Sequence, residues 1–362
     1  MAVIGAGRFG VERPPVTLRL VPDMFGAVRR ELLVRGDLRV TLFRYESGIE
    51  GLRIEHGVGH VDVLPFVGQQ LWRAEFHGRP LAMTSTFEEP VVTTDYLSNN
   101  GAYFVHCGGS AMGNPGVSDE HPLHGELPNA RYSGVVLVVG DDRITVRGGV
   151  THRVSFGSYF SAVTSVTVTE GSGVLESRVE LTNLSGEARQ LMYLAHINFR
   201  PAVGGTIADR LVPGRRPVTR ADFELGTDRV PVDAAQLDDG TVPFDRLLEA
   251  GMRVEPEVVQ SVPAAADADG WVTTRQHHPD GTADVVAHRS ADLTHTLRWL
   301  RRSADDQAFG FALPATAEAD GLAAETGKGN VRHYGPGETL VAHIRHGIEP
   351  VQGSIPTERN IR

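Results

Sequence analysis

The residues best suited to acid–base chemistry are concentrated in one segment, 119–132, which reads DEHPLHGELPNARY. It holds two imidazoles, His121 and His124, together with the carboxylate of Glu126 and the guanidinium of Arg131. Imidazoles and carboxylates are common proton-transfer groups in enzymes. Two prolines, a glycine and the lack of apolar periodicity exclude a helix or a core strand. We therefore expect a loop held by a rigid scaffold, where binding and catalytic groups concentrate.

A second group of candidates follows an apolar run. Residues 195–201 read AHINFRP and come directly after the apolar residues 191–194. This order predicts a strand that delivers His196 and Asn198 to one end or face of a sheet. His106, in a polar and glycine-rich segment, is a further candidate for the same pocket. A histidine whose hydrogen bonds are satisfied inside the core is the structural alternative for each of these imidazoles.

Composition and charge restrict the class of partner. The chain of 362 residues carries a formal net charge of −10, which argues against a nucleic-acid partner because phosphate binding needs a basic surface. No apolar run approaches the roughly 20 residues that a membrane span needs, so no membrane partner is expected. The single Cys107 excludes an intramolecular disulfide and a cysteine-rich zinc site. No basic segment followed by an apolar stretch opens the chain, and we expect a cytoplasmic protein.

Alternation of apolar and polar residues recurs along the chain and predicts β-strands. The clearest hairpin pairs residues 161–169 with 174–182 across a glycine-containing turn. The 41 glycines and 21 prolines suit many turns, and frequent short strands with few helices indicate an all-β sandwich or barrel. We expect one domain over residues 16–348, preceded by a flexible N-terminus, 1–15, and followed by a C-terminal tail, 349–362.

The N-terminal sequence contains a motif typical of dinucleotide-binding proteins. Gly5, Gly7 and Gly10 form G-x-G-x-x-G after a short apolar run. That motif needs a helix after the third glycine, with its N-terminus on the pyrophosphate. Pro14 and Pro15 follow closely and would stop such a helix. We therefore expect that the motif binds no dinucleotide.

Three short motifs, in this order along the chain, resemble signatures of a known superfamily. They are Leu123-His124-Gly125, the strand end 195–199 with its His-x-Asn, and Pro336-Gly337-Glu338 before the last predicted strand. Together they resemble the aldose 1-epimerase (galactose mutarotase-like) superfamily over most of residues 16–348. The resemblance implies an all-β fold, the galactose mutarotase-like antiparallel β-supersandwich. It also implies a carbohydrate site on the concave face of one sheet, and so a small-molecule carbohydrate as partner.

The resemblance implies roles for particular residues. In that family one histidine protonates the sugar ring oxygen, which would be His196, and a second histidine binds near it, which would be His124. A glutamate near the C-terminus takes the proton from the anomeric hydroxyl. The matching segment carries Pro314 where that carboxylate is expected, and the nearest substitutes are Glu318 and, further on, Glu325. Glu318 is therefore expected to be the base.

Further polar residues are expected to contact the sugar, and each has an alternative explanation. His121 could only cap its loop by hydrogen bonding, and Glu126 and Arg131 could form a local ion pair. Trp299 could stack on a sugar face or belong to the core. The expected substrate-binding residues are His106, His121, Glu126, Arg131, Asn198 and Glu325.

A metal site is the alternative arrangement of the same side chains. His121, His124, Glu126 and His196 could supply imidazole and carboxylate ligands to zinc or manganese. Their spacing is specific to no metal, so we expect no metal and no cofactor. The expected function is a carbohydrate isomerase, foremost an aldose 1-epimerase (mutarotase). The alternatives are a sugar epimerase or aldose–ketose isomerase, with or without a metal, and a sugar-binding protein without catalysis.

Overall fold

β-Strands make up most of the regular structure in residues 14–220, 230 and 232–349, which are the residues that the computed structural model describes. Strands account for 48% and helices for only 7%, so the expectation of an all-β fold is confirmed. The first strands in chain order are β1 (Val16–Arg19), β2 (Arg30–Arg35), β3 (Leu38–Arg44), β4 (Glu50–His56), β5 (Gly59–Val63), β6 (Leu71–Phe76), β7 (Arg79–Pro80), β8 (Phe104–Gly109), β9 (Ser133–Val139), β10 (Arg143–Arg153), β11 (Tyr159–Thr169) and β12 (Val174–Asn183).

The remaining strands follow after the central hairpin. They are β13 (Arg189–Gln190), β14 (Met192–Ile197), β15 (Thr206–Asp209), β16 (Val218–Thr219), β17 (Val254–Val262), β18 (Trp271–His277), β19 (Ala283–Arg289), β20 (His295–Arg302), β21 (Gln307–Ala315), β22 (His333–Tyr334) and β23 (Thr339–Glu349). The helices of the described residues are short: α1 (Ala234–Asp238), α2 (Leu322–Lys328), and 3-10 turns at Pro22–Met24, Leu97–Asn99 and Phe244–Leu248.

Two large sheets organise these strands. The larger has twelve strands in the order β16-β17-β20-β21-β14-β8-β6-β5-β4-β3-β2, with β7 paired to β6. The smaller has nine strands in the order β1-β9-β10-β11-β12-β23-β19-β18-β15, and β13 pairs with β22. The pairs are antiparallel, as the alternating sequence pattern predicts.

The hairpin of β11 and β12 shows why the sequence folds this way. Along β11 every second residue is buried, from Phe160 to Val168, so one face meets the core. The partner β12 pairs with it antiparallel, with Ser161 opposite Thr182. The predicted hairpin of 161–169 with 174–182 is therefore confirmed, each strand being slightly longer.

The strands β8 and β14 at the middle of the twelve-stranded sheet are buried along their whole length. One of their faces packs toward the nine-stranded sheet, since His346 of β23 contacts Tyr103 and Phe104. On the other face, Tyr96 and His124 of the connecting segments pack against His196 of β14. A strand covered on both faces reads as a continuous apolar run, which explains residues 191–194.

Some expectations fall on parts of the chain outside the described residues. These are the glycine motif at residues 5–10, most of the N-terminal segment 1–15, and nearly all of the C-terminal tail 349–362. Within the described part, no helix has both the length and the apolar character needed to cross a membrane.

Candidate functional site

A cavity of about 470 Å³ opens on the face of the twelve-stranded sheet that points away from the nine-stranded sheet, and His124 and His196 both line it. Its floor is formed by β14, β20, β17 and β21, and its walls by the segments after β7 and β8. The residues that line it are Met83, Thr86, Phe87, Tyr96, Leu97, Asn100, Asn114, Leu123, His124, Leu194, His196, Arg220, Pro256, Glu257, Val259, Leu297, Trp299, Arg301, Asp306, Leu313 and Ala319.

His196 comes from the floor, where strand alternation turns Leu194 and His196 to the cavity. Its imidazole is 5% exposed and its Nδ1 lies 2.6 Å from Oδ1 of Asn198. Burial lowers the pKa of His196 to about 4, although the hydrogen bond with Asn198 acts in the opposite direction. The imidazole is therefore neutral at neutral pH. Asn198, expected from the sequence to bind the sugar, hydrogen-bonds His196 and is not among the residues that line the cavity.

His124 comes from a wall, on a turn that is tied to β8. The amide of Gly108 donates to the His124 carbonyl at 2.7 Å, and the amide of His124 donates to the Gly113 carbonyl at 3.0 Å. His124 has a φ of 61°, an uncommon conformation for a residue with a side chain. A Cβ added to Gly125 would lie 2.3 Å from the carbonyl oxygen of Ala111. Only glycine fits at position 125, so the turn that carries His124 depends on the glycine of the Leu-His-Gly motif.

The two imidazoles belong to a cluster of four rings. The ring centroids of His124 and His196 lie 5.1 Å apart, and Trp299 of β20 lies 5.1 Å from His196 on the sheet floor. Tyr96 packs edge-on against His124 at 4.5 Å. Burial holds the pKa of His124 well below its ordinary value, and His196 and His121 act in the same direction. Neither imidazole of this cluster is thus charged at neutral pH.

Glu257 is the carboxylate that sequence analysis missed. It lies on β17 in the cavity lining, and its Oε2 accepts a hydrogen bond from Trp299 Nε1 at 2.6 Å. Residues 202–270 show little apolar–polar periodicity. The sequence V-E-P-E-V-V-Q-S-V at 254–262 alternates in part as a strand does, but Pro256 interrupts this pattern. Asp306 is the other carboxylate of the lining, and it pairs with Arg301 at 3.5 Å.

Polar atoms of the cavity lining lack partners. Among the described residues, Tyr96 Oη, Asn100 Oδ1 and His124 Nδ1 are buried without a hydrogen bond. Buried polar atoms are almost always hydrogen-bonded, so an unpartnered group indicates something that the protein alone does not supply. All three atoms belong to residues that line the cavity.

Glu318 and Glu325 lie away from this cavity. Glu318 lines a different cavity and pairs with Lys328 at 2.6 Å. Burial alone would raise the pKa of Glu318, but hydrogen bonds from Lys328 and Ser261 hold it below its ordinary value. Glu325 is fully buried and accepts hydrogen bonds from Lys328 and from the Glu318 amide. On β21 the residue that faces the histidines is Leu313, so this strand contributes no carboxylate to them.

The other predicted contacts also lie outside the cavity lining. His106 pairs across β8 and β14 with Ala195, so it points to the opposite face from His196. There it hydrogen-bonds the Tyr193 hydroxyl at 2.7 Å, and burial lowers its pKa to about 3. His106 is therefore a core histidine. The face that His106 occupies is set by the pairing register of β8 with β14, which cannot be predicted from the sequence of one strand alone.

The remaining residues of segment 119–132 have local partners. His121 hydrogen-bonds the Pro122 carbonyl at 2.9 Å and lies 3.4 Å from the Leu322 amide, which agrees with a loop-capping role. Glu126 accepts hydrogen bonds from the backbone and hydroxyl of Ser110. Arg131 is exposed. None of the three lines the cavity of His124 and His196.

Of the side chains named for a metal site, His124 and His196 lie side by side, but no third one joins them. Within the described part of the chain, only Glu318, Asp320 and Glu325 place three candidate ligand atoms within 4.8 Å of one another. The Lys328 ammonium already pairs with all three carboxylates. Arg220 pairs with Asp320 as well, so this cluster is held by basic side chains of the protein and differs from the His121, His124, Glu126 and His196 set.

The fold is that of galactose mutarotase-like proteins. A provisionally assigned aldose 1-epimerase from Klebsiella pneumoniae aligns over 92% of this chain and 87% of its own, with a TM-score of 0.74 and 17% identity. A galactose mutarotase-like protein from Clostridium acetobutylicum aligns over 86% and 99%, with a TM-score of 0.59 and 12% identity. A galactose mutarotase related enzyme from Lactobacillus acidophilus aligns over 85% and 100%, with a TM-score of 0.53 and 12% identity. The predicted antiparallel β-supersandwich is therefore confirmed.

The chain belongs to the family described as a domain of unknown function (DUF4432), whose model matches residues 46–348. No curated protein matches the chain significantly. At 12% and 17% sequence identity, the likeness to these solved structures shows a shared fold.

Proposed function

We propose that the protein binds a monosaccharide or a close derivative in the cavity of His124 and His196, and that it interconverts the anomers of this sugar. The observation that carries the proposal is the shared cavity: two neutral imidazoles, the carboxylate of Glu257 and an indole line it, and three polar atoms of its lining residues lack hydrogen-bond partners. Ligand sites commonly combine a concave, partly apolar wall with a few placed polar groups. The resemblance of the motifs and the fold both favour an aldose 1-epimerase type of reaction.

Ring opening of a sugar requires that the anomeric hydroxyl loses a proton and that the ring oxygen gains one. His196 is the proposed proton-transfer group because its imidazole lies on the cavity floor. His124 is placed to bind a hydroxyl or the ring oxygen through its unpartnered Nδ1. Glu257, and not Glu318, is the glutamate of this cavity, and its carboxylate is proposed to bind sugar hydroxyls. Trp299 offers an apolar wall to a sugar face.

A sugar-binding protein without catalysis is the second candidate. It is favoured by one observation, the Leu313 and Pro314 pair on β21 where the resemblance led us to expect a glutamate. An aldose–ketose isomerase with a metal draws no comparable support, because the predicted ligand set does not converge.

The test is exchange between anomers, followed by NMR over a panel of aldoses and ketoses. We expect saturable binding and accelerated exchange for at least one sugar, and a His196→Gln protein that folds and binds but exchanges ~10²–10⁴-fold more slowly. Binding without acceleration of any isomer exchange would support the second candidate. Failure of every sugar to bind would overturn both.

A further inference from the structure

We infer that Asn198 holds His196 in the tautomer with the proton on Nδ1, so that Nε2 meets the sugar as a proton acceptor. This assignment rests on the proposed function for its chemical meaning, although the tautomer itself is a property of the free protein. It reverses the role that the family resemblance implies, in which this histidine protonates the ring oxygen.

The orientation of the Asn198 amide follows from its two contacts. Its Nδ2 lies 2.9 Å from the carbonyl oxygen of Ala102, and its Oδ1 lies 2.6 Å from His196 Nδ1. A backbone carbonyl can only accept, so the amide nitrogen must face Ala102. The amide oxygen then faces His196, and because this oxygen can only accept, Nδ1 must carry the proton. A neutral imidazole with its proton on Nδ1 presents a lone pair at Nε2.

Asn198 is held firmly enough to impose this choice. Its side chain is fully buried. Its backbone amide donates to the Tyr103 carbonyl at 2.7 Å, and its backbone carbonyl accepts from the Met83 amide at 2.8 Å. A flipped amide would set its oxygen against the Ala102 carbonyl, leaving two acceptors in contact. Such a mismatch would leave buried polar groups without hydrogen bonds, which is unfavourable, so the observed orientation dominates.

The charged and titratable groups around His196 come from several elements. The segments that cover the sheet supply Tyr96 and His124, and β8 supplies Cys107, which pairs with Leu194. The other charged residues of the lining are Glu257 on β17, Arg301 on β20, Arg220 and Asp306. Burial dominates their effects on the free imidazole, whose pKa lies at about 4. At neutral pH, Nε2 of this imidazole can therefore accept a proton and carries none to donate.

The corresponding step balances without a further reactant. The anomeric hydroxyl gives its proton to Nε2, the electron pair of that O–H bond becomes the second bond between carbon and oxygen, and the bond to the ring oxygen breaks with its pair on that oxygen. The imidazolium then returns the same proton to the ring oxygen, which was bonded to the same carbon. Closure on the other face of the carbonyl reverses these transfers and yields the other anomer.

The first experiment reads the tautomer of the full-length protein without any sugar. Long-range ¹H–¹⁵N NMR of the uniformly labelled protein at pH 7 distinguishes the two neutral tautomers from the imidazolium, and a His196→Gln protein identifies the signals. We expect the form with the proton on Nδ1. The form with the proton on Nε2, or an imidazolium at pH 7, would overturn the inference. Because no substrate is present, this outcome is independent of whether the proposed function holds.

The second experiment tests Asn198 as the positioning residue. Asn198→Leu should fold, as checked by circular dichroism, and lose the tautomer preference, whereas Asn198→Asp should keep the proton on Nδ1 and move the titration of His196 upward. If Asn198→Leu retains the tautomer of the unchanged protein, the positioning role is wrong. If that variant does not fold, the Asn198→Asp titration decides: an unmoved midpoint contradicts the contact.

On a confirmed substrate, the pH profile separates the two roles. A proton acceptor works when neutral, so the exchange rate should stay level through neutral pH and fall about tenfold per pH unit below the pKa of His196. In Asn198→Asp this fall should begin at higher pH, with the Michaelis constant changing less than the maximal rate. A rate that rises as the pH is lowered toward 4 would contradict the acceptor role.

Discussion

Glu257 and Glu318 are two carboxylates with different surroundings, and this difference is testable at the scale of single residues. Glu257 lines the cavity and accepts one hydrogen bond from Trp299, whereas Glu318 lines another cavity and is neutralised by Lys328. We predict that Glu257→Gln lowers sugar exchange by ~10–10²-fold, because loss of a charged hydrogen-bond acceptor costs about 1.5–3 kcal/mol. Glu318→Gln should leave exchange within about twofold.

The two glutamine variants are matched controls for each other, since both remove one carboxylate charge. Anomer exchange and sugar affinity are to be measured for both, with melting temperatures to exclude a folding defect. A dead Glu318→Gln beside an active Glu257→Gln would restore the base that sequence analysis proposed and would contradict our cavity assignment.

His124 supplies a second prediction at this scale. Its Nδ1 is one of the unpartnered atoms, so we expect it to bind the sugar directly. His124→Gln should weaken sugar affinity as well as slow exchange, since a hydrogen bond to a neutral partner contributes about 0.5–1.5 kcal/mol. Calorimetric titration measures this. An unchanged affinity together with full activity would remove His124 from the site.

At the scale of elements, the turn that carries His124 depends on its glycine. Gly125 has a φ of 79° and an added Cβ would meet the Ala111 carbonyl oxygen at 2.3 Å. Gly171, in the hairpin turn between β11 and β12, has a φ of 70° and nothing within 4 Å of an added Cβ. The two glycines have similar backbone conformations but differ in the space around an added Cβ. Alanine substitutions at the two positions therefore separate the cost of the backbone conformation from the cost of the steric clash.

We predict that Gly171→Ala costs about 1–2 kcal/mol, the usual penalty of a left-handed residue with a Cβ. Gly125→Ala should cost clearly more, and it should also weaken sugar binding because the turn must move to relieve the contact. Chemical denaturation gives the stabilities and calorimetry gives the affinities. Equal stabilities of the two variants, with sugar binding intact, would show that the turn at His124 is more adaptable than its contacts indicate.

At the scale of the whole molecule, buried histidines make stability depend on pH. Burial lowers the pKa of His106 and His346, between the two sheets, to about 3, and that of His56 and His288 to about 4. In the unfolded chain, histidines become protonated near pH 6.5. In the folded protein, these four histidines become protonated only at much lower pH. Between these values the unfolded state binds more protons, so stability is fully present above about pH 6.5 and falls as the pH is lowered toward 4.

We predict that the free energy of unfolding, measured by urea denaturation, is nearly level above pH 7 and drops progressively between pH 6.5 and 4.5. His106→Gln should reduce this slope, while His343→Gln, at an exposed position, should not. A stability that stays constant down to pH 4.5 would mean that these imidazoles are accessible to protons without unfolding.

Much of the architecture and part of the site follow from local sequence. Alternation along 161–169 and 174–182 requires one buried face, which a sheet provides, and this determined the all-β class and the hairpin. The apolar run before His196 and the Leu-His-Gly motif identified both histidines of the cavity, since a strand end and a glycine turn are local features. These properties depend on residues that are neighbours in the chain.

Only the tertiary structure decided which groups meet these histidines. Glu257 lines the same cavity as His196 because β17, β20, β21 and β14 follow one another in the sheet, an order that strands distant in sequence adopt only on folding. His106 was misplaced because the pairing of β8 with β14 sets which face it occupies, and a shift of one residue would have reversed the result. Strand order and register depend on the packing of the whole core, so local patterns cannot specify them.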